Sequence, residues 1–257
     1  MFSPGEFRLD GRTAIVTGAS RGIGEEIALG LAAAGARVAL VSRTVSGLKR
    51  VERTIKEMGQ EALAVPADVS DEKGSEEAFL LITERVGPPD VLVNNAGISP
   101  VLKSAEKLTS SEWDEILAVN LRGPFLWSRM SARSMIERGR GGCIINVASI
   151  GAIVGLRGLA AYCASKAGLV AFTRVAAIDW AKYGIRVNAV APGYTATDMT
   201  SGVRKHPHIA EDLMRRTPMG RFAQPHEIVG AVVFLASDAA AFITGQVIPV
   251  DGGWTAS

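Results

Sequence analysis

Short apolar runs alternate with longer segments of helical periodicity along this chain. Seven runs are strand-like, and they cover residues 14–17, 38–41, 62–65, 90–93, 143–147, 186–190 and 246–250. After the first run, Ile23, Ile27 and Leu31 recur every four residues, which is the spacing of a helix that packs on a sheet. Strands that alternate with helices predict βαβ crossovers and a parallel sheet covered on both faces. The pattern therefore predicts an α/β fold of the doubly wound Rossmann type.

The length and composition fit one folding unit. The chain has 257 residues, 47% of them hydrophobic, which is enough for a single large core. No internal repeat, low-complexity segment or shift in composition marks a boundary, so we expect one domain over residues 1–257. The formal net charge is only +2, which argues against the broad basic surface of a nucleic-acid-binding protein.

The sequence contains no recognisable targeting or membrane segment. Its first residues, MFSPGEFRLDG, include acidic side chains and lack the continuous apolar core of a signal peptide. No uninterrupted apolar stretch is long enough to span a bilayer. We therefore expect a cytoplasmic protein that has neither a membrane nor a nucleic acid as partner.

The cysteines and histidines predict neither a disulfide nor a metal site. Cys143 lies in an apolar run and Cys163 in a helical segment, so both are expected to be reduced, small packing residues. His206, His208 and His226 have no cysteine or carboxylate at the spacing of metal ligands.

A glycine-rich segment, TGASRGIG at residues 17–24, follows the first apolar run and opens a helical pattern. Strand, glycine turn and helix together form the context in which a backbone can approach a pyrophosphate, because a helix N-terminus favours anions. Gly18, Gly22 and Gly24 are the candidates for the phosphate turn. Their spacing is Gly-xxx-Gly-x-Gly, which differs from the GxGxxG of two-domain dehydrogenases.

A tyrosine and a lysine four residues apart predict acid/base chemistry. If residues 162–176 are helical, Tyr162 and Lys166 lie on one face, one turn apart. An ammonium beside a phenol favours the phenolate and lowers the tyrosine pKa from about 10. A nearby hydroxyl, that of Ser149, would hold the oxygen of a carbonyl or alcohol substrate. Taken alone, the pair also fits an exposed helical YxxxK, which occurs often by chance.

Over nearly its whole length the chain resembles the classical short-chain dehydrogenase/reductase family. The resemblance rests on motifs in the family's order: TGASRGIG (17–24), DVS (68–70), NNAG (94–97), the VN pair ending at Asn120, Ser149, YCASK (162–166) and PGYTATDM (192–199). It implies a seven-stranded sheet of order 3-2-1-4-5-6-7. It also implies that Tyr162 is the catalytic acid/base, that Ser149 orients the substrate and that Lys166 binds the nicotinamide ribose. Asn120 would help to hold a proton-relay water.

The end of the second apolar run favours NADP(H) as cofactor. Ser42 and Arg43 stand where NAD-specific relatives commonly carry an acidic residue, and Arg21 in the glycine turn would add a second charge for a 2′-phosphate. Either arginine alone also fits a solvated surface residue. The resemblance implies further cofactor contacts, and the full set is Gly18, Ser20, Arg21, Gly22, Ile23, Gly24, Ser42, Arg43, Asp68, Val69, Asn95, Ala96, Gly97, Tyr162, Lys166, Pro192, Gly193, Thr195 and Thr197.

The reaction implied is hydride transfer between C4 of the nicotinamide and a carbonyl carbon, without a metal. Two substrate classes remain open. The general pattern is closest to 3-oxoacyl-(acyl carrier protein) reductases, and Arg129, Arg133 and Arg174 would then form a basic patch for an acidic carrier protein, unless they belong to solvated helix faces. Residues 177–194 and the ending VDGGWTAS resemble instead gluconate 5-dehydrogenase-like members, which would make the protein a sugar, polyol or small-ketone reductase. A non-catalytic NADP(H)-binding sensor or scaffold is the remote alternative.

Two further expectations concern the substrate lid and assembly. The segment 198–221 corresponds to the family's lid, and it mixes apolar side chains with arginines. The wall between Ser149 and Tyr162 is apolar, and within that wall only Arg157 would suit a carboxylate. The family commonly forms tetramers through two long central helices and the C-terminal strand region. Since residues 230–254 are strongly apolar, we expect a homotetramer.

Overall fold

The computed structural model describes residues 3–256. Met1, Phe2 and Ser257, which belong to the N-terminal and C-terminal segments considered above, lie outside the described residues. No helix within residues 3–256 is long and apolar enough to cross a membrane. In the same part of the chain, no three histidine, cysteine or acidic side chains are grouped so that they could hold a metal ion.

Seven parallel strands form one sheet in the order β3-β2-β1-β4-β5-β6-β7, as predicted. They are β1 Thr13–Thr17, β2 Arg37–Ser42, β3 Ala62–Pro66, β4 Val91–Asn94, β5 Gly142–Val147, β6 Ile185–Pro192 and β7 Val247–Val250. Their ends differ from the predicted apolar runs by at most two residues. The central strands are buried on both faces, which explains why they are continuous apolar runs without alternation.

Nine α-helices connect and cover the strands within the described residues. They are α1 Gly22–Ala33, α2 Val45–Glu57, α3 Glu72–Arg85, α4 Ser110–Leu117, α5 Gly123–Arg138, α6 Ala160–Trp180, α7 Ser201–Arg204, α8 Pro207–Arg216 and α9 Val229–Ala236. A wider π-helical turn, Ala118–Arg122, joins α4 to α5. The predicted helix over 162–176 is the central part of α6.

The helices divide the apolar core between the two faces of the sheet. On one face α1, α2 and α9 pack against the strands, through residues such as Leu31, Ile55 and Leu235. On the other face α3, α5 and α6 do so, with Ile82 and Trp127 among the buried side chains. Neighbouring residues of β1 belong to different clusters, since Ile15 faces one core while Ala14 and Val16 face the other.

The strand order reverses beside β1, which lies between β2 and β4. In a doubly wound sheet, ligands bind at such a switch point, outside the carboxyl ends of the strands. The predicted glycine turn follows β1, the NNAG motif includes the last residue of β4, Ser149 follows β5 and the PGYTATDM motif begins at the end of β6. The topology therefore brings the predicted motifs to one edge of the sheet.

Candidate active site

Tyr162 and Lys166 lie one turn apart near the start of α6, as predicted. Lys166 is buried, and its Nζ donates a 2.8 Å hydrogen bond to the main-chain carbonyl of Val147 at the end of β5. The same Nζ lies 5.9 Å from the centre of the Tyr162 ring. Burial disfavours the ammonium form and lowers the pKa of Lys166 to about 8.

The pKa of Tyr162 is raised in this structure, contrary to the lowering expected from the lysine. Burial is the largest cause, hydrogen bonding with Ser149 acts in the opposite direction, and Cys163 and Tyr194 raise the pKa further. The expectation fails because the Lys166 amine is directed to Val147 and is itself desolvated. A neutral phenol with a raised pKa is suited to donate a proton to a carbonyl oxygen.

Ser149 begins a short 3₁₀ turn, Ile150–Ala152, just after β5. Its Oγ accepts a 3.0 Å hydrogen bond from the amide of Gly151, which orients the hydroxyl so that its proton can be donated to the phenol oxygen of Tyr162 or to a substrate. A Cβ built on Gly151 would lie 3.5 Å from this Oγ and 3.2 Å from Sγ of Cys163. The helical position of Cys163 suggested a residue packed in the core. In the structure Cys163 is half-buried and its Sγ lies near Gly151.

Asn120 lies in the π-helical turn and its side chain is fully buried. Its Oδ1 accepts from the amide of Ile98 at 2.8 Å, and its Nδ2 donates to the carbonyl of Ile98 at 2.9 Å and to Oγ of Ser165 at 3.2 Å. A Cβ built on Gly97 would lie 3.4 Å from both Asn120 Oδ1 and Lys166 Nζ. Asn120 thus ties the loop after β4 to α6, close to the amine of Lys166.

The glycine turn has the backbone geometry that a phosphate site needs. Gly18 and Gly22 have φ of +67° and +59°, in the left-handed region that favours glycine. No side chain caps the N-terminus of α1, whose N-cap is Arg21, so the first amides of the helix are left to an anion. This turn therefore fits the pyrophosphate of a dinucleotide.

Asn95 holds that turn against the end of β4. Its Nδ2 donates to the carbonyl oxygens of Thr17 at 3.0 Å and Gly18 at 3.2 Å. Nδ2 would lie only 2.2 Å from a Cβ built on Gly24, so this third glycine is required by the close approach of Asn95. Asn95 thus positions the glycine turn.

Both arginines that the sequence assigns to a 2′-phosphate are exposed. Arg43 is 65% exposed and its Nη1 lies 3.5 Å from Oδ2 of Asp68, while Arg21 is 74% exposed and lies 3.1 Å from Oδ2 of Asp198. Oγ of Ser42 donates a 2.9 Å hydrogen bond to Oγ of Ser20, which joins the end of β2 to the glycine turn. Both guanidinium groups are in loose, solvated ion pairs that a phosphate can replace.

Asp68 and Val69 follow β3 at the same edge. Burial favours the protonated form of Asp68, but hydrogen bonds from Ser70 and the charge of Arg43 outweigh it and lower the pKa of the carboxyl. Val69 is buried, and its side chain lies 3.0 Å from a Cβ built on Gly123 at the start of α5. Ile23 packs against the core from α1.

The loop after β6 faces the glycine turn from the other side. Gly193 packs on the loop after β7, since a Cβ there would lie 2.8 Å from Cα of Asp251. The buried Thr195 donates to the carbonyl of Gly193 at 3.2 Å. Cγ2 of Thr197 lies 3.5 Å from a Cβ built on Gly22. Pro192 ends β6 and begins this loop.

An aromatic cluster beside these residues was missed from the sequence. The rings of Tyr194 and Trp254 are 5.0 Å apart, and Phe222 lies 6.1 Å from Tyr194. Burial raises the pKa of Tyr194, the charge of Arg216 lowers it, and Cys163 raises it. One signal was available, because Tyr194 follows β6 and Trp254 follows β7, and these strands are neighbours in the predicted sheet.

One of the three arginines in the basic patch expected for a carrier protein is neutralised in the structure. Arg129 is paired with Glu72 at 2.7 Å and with Glu76 at 3.6 Å, and it also covers the ring of Phe125. Arg133 and Arg174 are exposed on α5 and α6. The free positive charge on this surface is therefore smaller than the sequence suggests.

The chain matches known proteins over almost its full length. A family model described as enoyl-(acyl carrier protein) reductase matches residues 18–255. Gluconate 5-dehydrogenase of Gluconobacter oxydans is 39% identical over 257 residues, with all of both chains covered. Galactitol 2-dehydrogenase (L-tagatose-forming) of Cereibacter sphaeroides is 44% identical, with 97% of each covered. The 3-oxoacyl-(acyl carrier protein) reductase of a Synechocystis species is 40% identical, with 95% of this chain and 97% of the relative covered.

Solved structures agree with these relatives. A putative NAD(P)-dependent gluconate 5-dehydrogenase from Beutenbergia cavernae, with bound NADP at low occupancy, superposes with a TM-score of 0.94 at 44% identity, covering 98% of this chain and all of that one. A gluconate 5-dehydrogenase from Burkholderia cenocepacia in complex with NADP and tartrate gives the same TM-score at 38% identity, with 98% of each chain covered. The expected family is confirmed: the chain belongs to the short-chain dehydrogenase/reductases and is an oxidoreductase that acts on alcohol or carbonyl groups.

Proposed function

We propose that this protein is an NADP(H)-dependent dehydrogenase that interconverts a secondary alcohol and a ketone on a sugar acid or polyol. The observation that carries the proposal is the convergence of Tyr162, Ser149 and Lys166 at the carboxyl edge of the sheet. The uncapped glycine turn opens at the same edge. A non-catalytic sensor would not need this arrangement of acid, hydroxyl and amine.

In the proposed reaction, the nicotinamide cofactor supplies or accepts the hydride when it is bound. Tyr162 donates a proton to the carbonyl oxygen during reduction and accepts it from the alcohol during oxidation. Ser149 holds the same oxygen by donating its hydroxyl proton. Lys166 holds the end of β5 through Val147 and binds the ribose. Asn120 fixes the loop after β4 through Ile98. Tyr162 is half-buried, so water has only partial access to the proton transfer in the single chain.

NADP(H) is favoured over NAD(H) by the charges of two arginines. Arg43 and Arg21 supply guanidinium groups, and Ser42 and Ser20 supply hydroxyls, where a 2′-phosphate would approach the end of β2. The carboxylate of Asp68, which accepts hydrogen bonds from Ser70, is not free to bind a ribose in its place. The NADP bound to the two similar structures supports the same choice.

The substrate class follows the relatives that act on sugars, and this reverses the order of the two classes expected from the sequence. Gluconate 5-dehydrogenase and galactitol 2-dehydrogenase are among the similar proteins, and a gluconate dehydrogenase structure contains tartrate. Arg129 is already paired with two carboxylates, which weighs against docking of an acidic carrier protein. The 3-oxoacyl thioester remains the second candidate, since one relative carries that activity in its name and the family model's description names another reductase of acyl carrier protein substrates.

We further propose that residues 1–257 act as one domain, with the segment 198–221 as a substrate cover. That segment forms α7 and α8, and α8 places Leu213 against Ile150 and Trp254. We also propose a homotetramer, because apolar side chains of α6 remain exposed in the single chain, among them Ile178 at 77%.

The test is a comparison of substrates in both directions. NADP⁺ reduction would be measured with D-gluconate and galactitol, and NADPH oxidation with a short 3-oxoacyl thioester and a small aryl ketone, with the Tyr162→Phe variant as blank. Brisk oxidation of a sugar acid or polyol, abolished in the variant, is the expected result. Strong preference for the thioester would overturn the sugar class, and no turnover of any compound would revive a binding-only role.

A further inference from the structure

A cleft lies beside the aromatic cluster, between the end of α8 and the residues after β7. It has a volume of about 280 Å³ and is lined by Arg215, Arg216, Pro218 and Trp254. This size is near the lower end of small-molecule sites, which range from about 300 to 1,000 Å³. The lining combines two guanidinium groups with an aromatic face, which is a composition suited to a small anion.

Only one of the three arginines in residues 215–221 has an unpaired charge. Arg215 forms a 2.5 Å ion pair with Asp212, and Arg221 forms a 2.6 Å pair with Glu227. Across residues 3–256, no carboxylate lies within ion-pair distance of Arg216. The Arg216 guanidinium carbon lies instead 4.5 Å from the centre of the Trp254 ring.

Stacking on Trp254 prepares Arg216 to bind an anion. A guanidinium that lies on an aromatic face keeps the edge that carries its N–H donors free, and it has lost part of its rotational freedom before the ligand arrives. Trp254 is itself held by the loop after β7. There Asp251 accepts hydrogen bonds from the amides of Gly253 at 2.9 Å and Thr255 at 2.9 Å.

Packing connects the same guanidinium to the surroundings of Ser149. Trp254, on which Arg216 lies, packs edge-on against Tyr194 with the ring centres 5.0 Å apart. Trp254 and Ile150 belong to one apolar cluster, against which Tyr194 packs, and Ile150 directly follows Ser149. The cleft of Arg216 is therefore joined to the wall of the candidate active site through this cluster.

We propose that Arg216 binds the carboxylate of a sugar-acid substrate and thereby places the hydroxyl-bearing carbon between Tyr162 and Ser149. The inference rests on the proposed function, which it narrows from polyols and sugar acids to the acids. A carboxylate forms two parallel hydrogen bonds with a guanidinium, whereas a neutral alditol leaves the charge without a counterion. Arg157, the candidate from the sequence, is exposed on the wall between Ser149 and Tyr162 and is not part of this cleft.

The experiment measures binding and turnover separately. Calorimetric titration in the presence of NADP⁺ would compare D-gluconate with D-glucitol, the neutral alditol of the same carbon skeleton. Both ligands would also be used in NADP⁺ reduction. The variants are Arg216→Gln, Arg216→Lys and Arg215→Gln. Arg140→Gln, at an exposed position far from the cleft before β5, is the matched control.

We expect Arg216→Gln to weaken gluconate binding by roughly 10- to 100-fold, because a charged hydrogen-bonded pair is lost, and to change glucitol binding less than about twofold. Arg216→Lys keeps the charge and should recover part of the affinity. Arg140→Gln should match the wild type. Equal gluconate binding by the wild type and Arg216→Gln would overturn the proposal, as would a loss confined to Arg215→Gln.

The proposed dehydrogenase function and the proposed role of Arg216 can be contradicted by different results. Oxidation of glucitol or galactitol without preferential binding of gluconate would retain the proposed dehydrogenase function and overturn the role of Arg216. Gluconate binding that depends on Arg216, with no oxidation of any sugar acid or alditol, would support the carboxylate site and overturn the proposed function.

Discussion

Nζ of Lys166 donates a 2.8 Å hydrogen bond to the main-chain carbonyl of Val147, so a buried amine on α6 is anchored to the last residue of β5. This contact connects the helix of Tyr162 to the strand that precedes Ser149. It satisfies one of the three donors of the ammonium, and burial lowers the lysine pKa to about 8. The buried ammonium therefore lowers the free energy of unfolding by an amount that depends on pH.

The first prediction concerns this loss of stability. In the cofactor-free protein, Lys166→Met should raise the free energy of unfolding at neutral pH. The pKa of Lys166 falls from 10.5 to about 8 on folding, so the unfolded state binds more protons between these values and the wild type gains stability as pH rises through them. The unfolding free energy of Lys166→Met should exceed that of the wild type by at most about 3 kcal/mol below pH 8, and this gap should shrink toward pH 10.

Urea unfolding at fixed protein concentration, from pH 6.5 to 10, measures this gap. The difference between the two proteins cancels groups that they share, such as Cys143 and Tyr162, whose raised pKa values act in the opposite direction. Lys205→Met, at an exposed position of the lid segment, is the control and should show a flat difference. A gap independent of pH for Lys166→Met would contradict the buried, titrating amine.

The second prediction assigns proton transfer to Tyr162. Tyr162→Phe should lower kcat by roughly 10²- to 10⁴-fold while the binding of NADPH, followed by its fluorescence, stays within about twofold. Oxidation needs the phenolate, and the pKa of the phenol is raised, so wild-type alcohol oxidation should increase with pH above neutrality. Tyr183→Phe, at an exposed position in the short 3₁₀ turn that follows α6, should leave both the rate and the pH profile unchanged. Residual activity with an unaltered pH profile in Tyr162→Phe would assign the proton to another group.

The third prediction concerns the glycine turn. Gly24→Ala would place a Cβ 2.2 Å from both Nδ2 of Asn95 and the carbonyl oxygen of Gly18, so the turn must shift. We expect a Tm lower by roughly 3–10 °C and weaker cofactor binding. Gly230→Ala, in an open position of α9, is the matched helical control and should be neutral or stabilising by up to about 1 kcal/mol. Equal melting temperatures for the two variants would show that Asn95 does not constrain the turn.

The fold could be predicted because its signals are local and repeated. Each central strand is buried on both faces, so it leaves a continuous apolar run that a reader of the sequence can recognise. The motif residues were also recoverable, since parallel strands carry them to one edge. The strand order itself came from the family resemblance and could not have been obtained from the periodicity.

What the sequence could not predict depends on contacts between distant segments. The pKa of Tyr162 is raised chiefly by burial, the hydrogen bond with Ser149 opposes that shift, and Tyr194, which is 32 positions away in the chain, adds to it. Arg129 resembled a free charge until Glu72 and Glu76 of α3 were found beside it. Cys163 was assigned to core packing because neighbouring helical residues diverge, yet its side chain is half-buried and its Sγ lies against Gly151, as does Oγ of Ser149.

The fourth prediction tests the cofactor. Arg43→Asp replaces a guanidinium with a carboxylate near Asp68 and should lower kcat/KM for NADPH by roughly 10- to 100-fold while that for NADH changes only a few-fold. Arg53→Asp, an exposed position on α2, makes the same change in net charge and should preserve the preference. The ratio of the two kcat/KM values is the measurement. An unchanged ratio in Arg43→Asp would remove Arg43 from the 2′-phosphate site.

The fifth prediction concerns assembly. Val175 and Ile178 are 57% and 77% exposed on α6, and the exposed Phe125 of α5 packs on Phe172 of the same helix. This surface is too apolar for a helix that faces water. Light scattering after size exclusion should give a mass near four times 27.0 kDa. Ile178→Glu should reduce that mass, because a carboxylate would be buried unpaired in the interface. Leu80→Glu, at a similarly exposed position on α3, should leave it unchanged. A wild-type monomer, or an intact tetramer in Ile178→Glu, would place the contact elsewhere than on this face of α6.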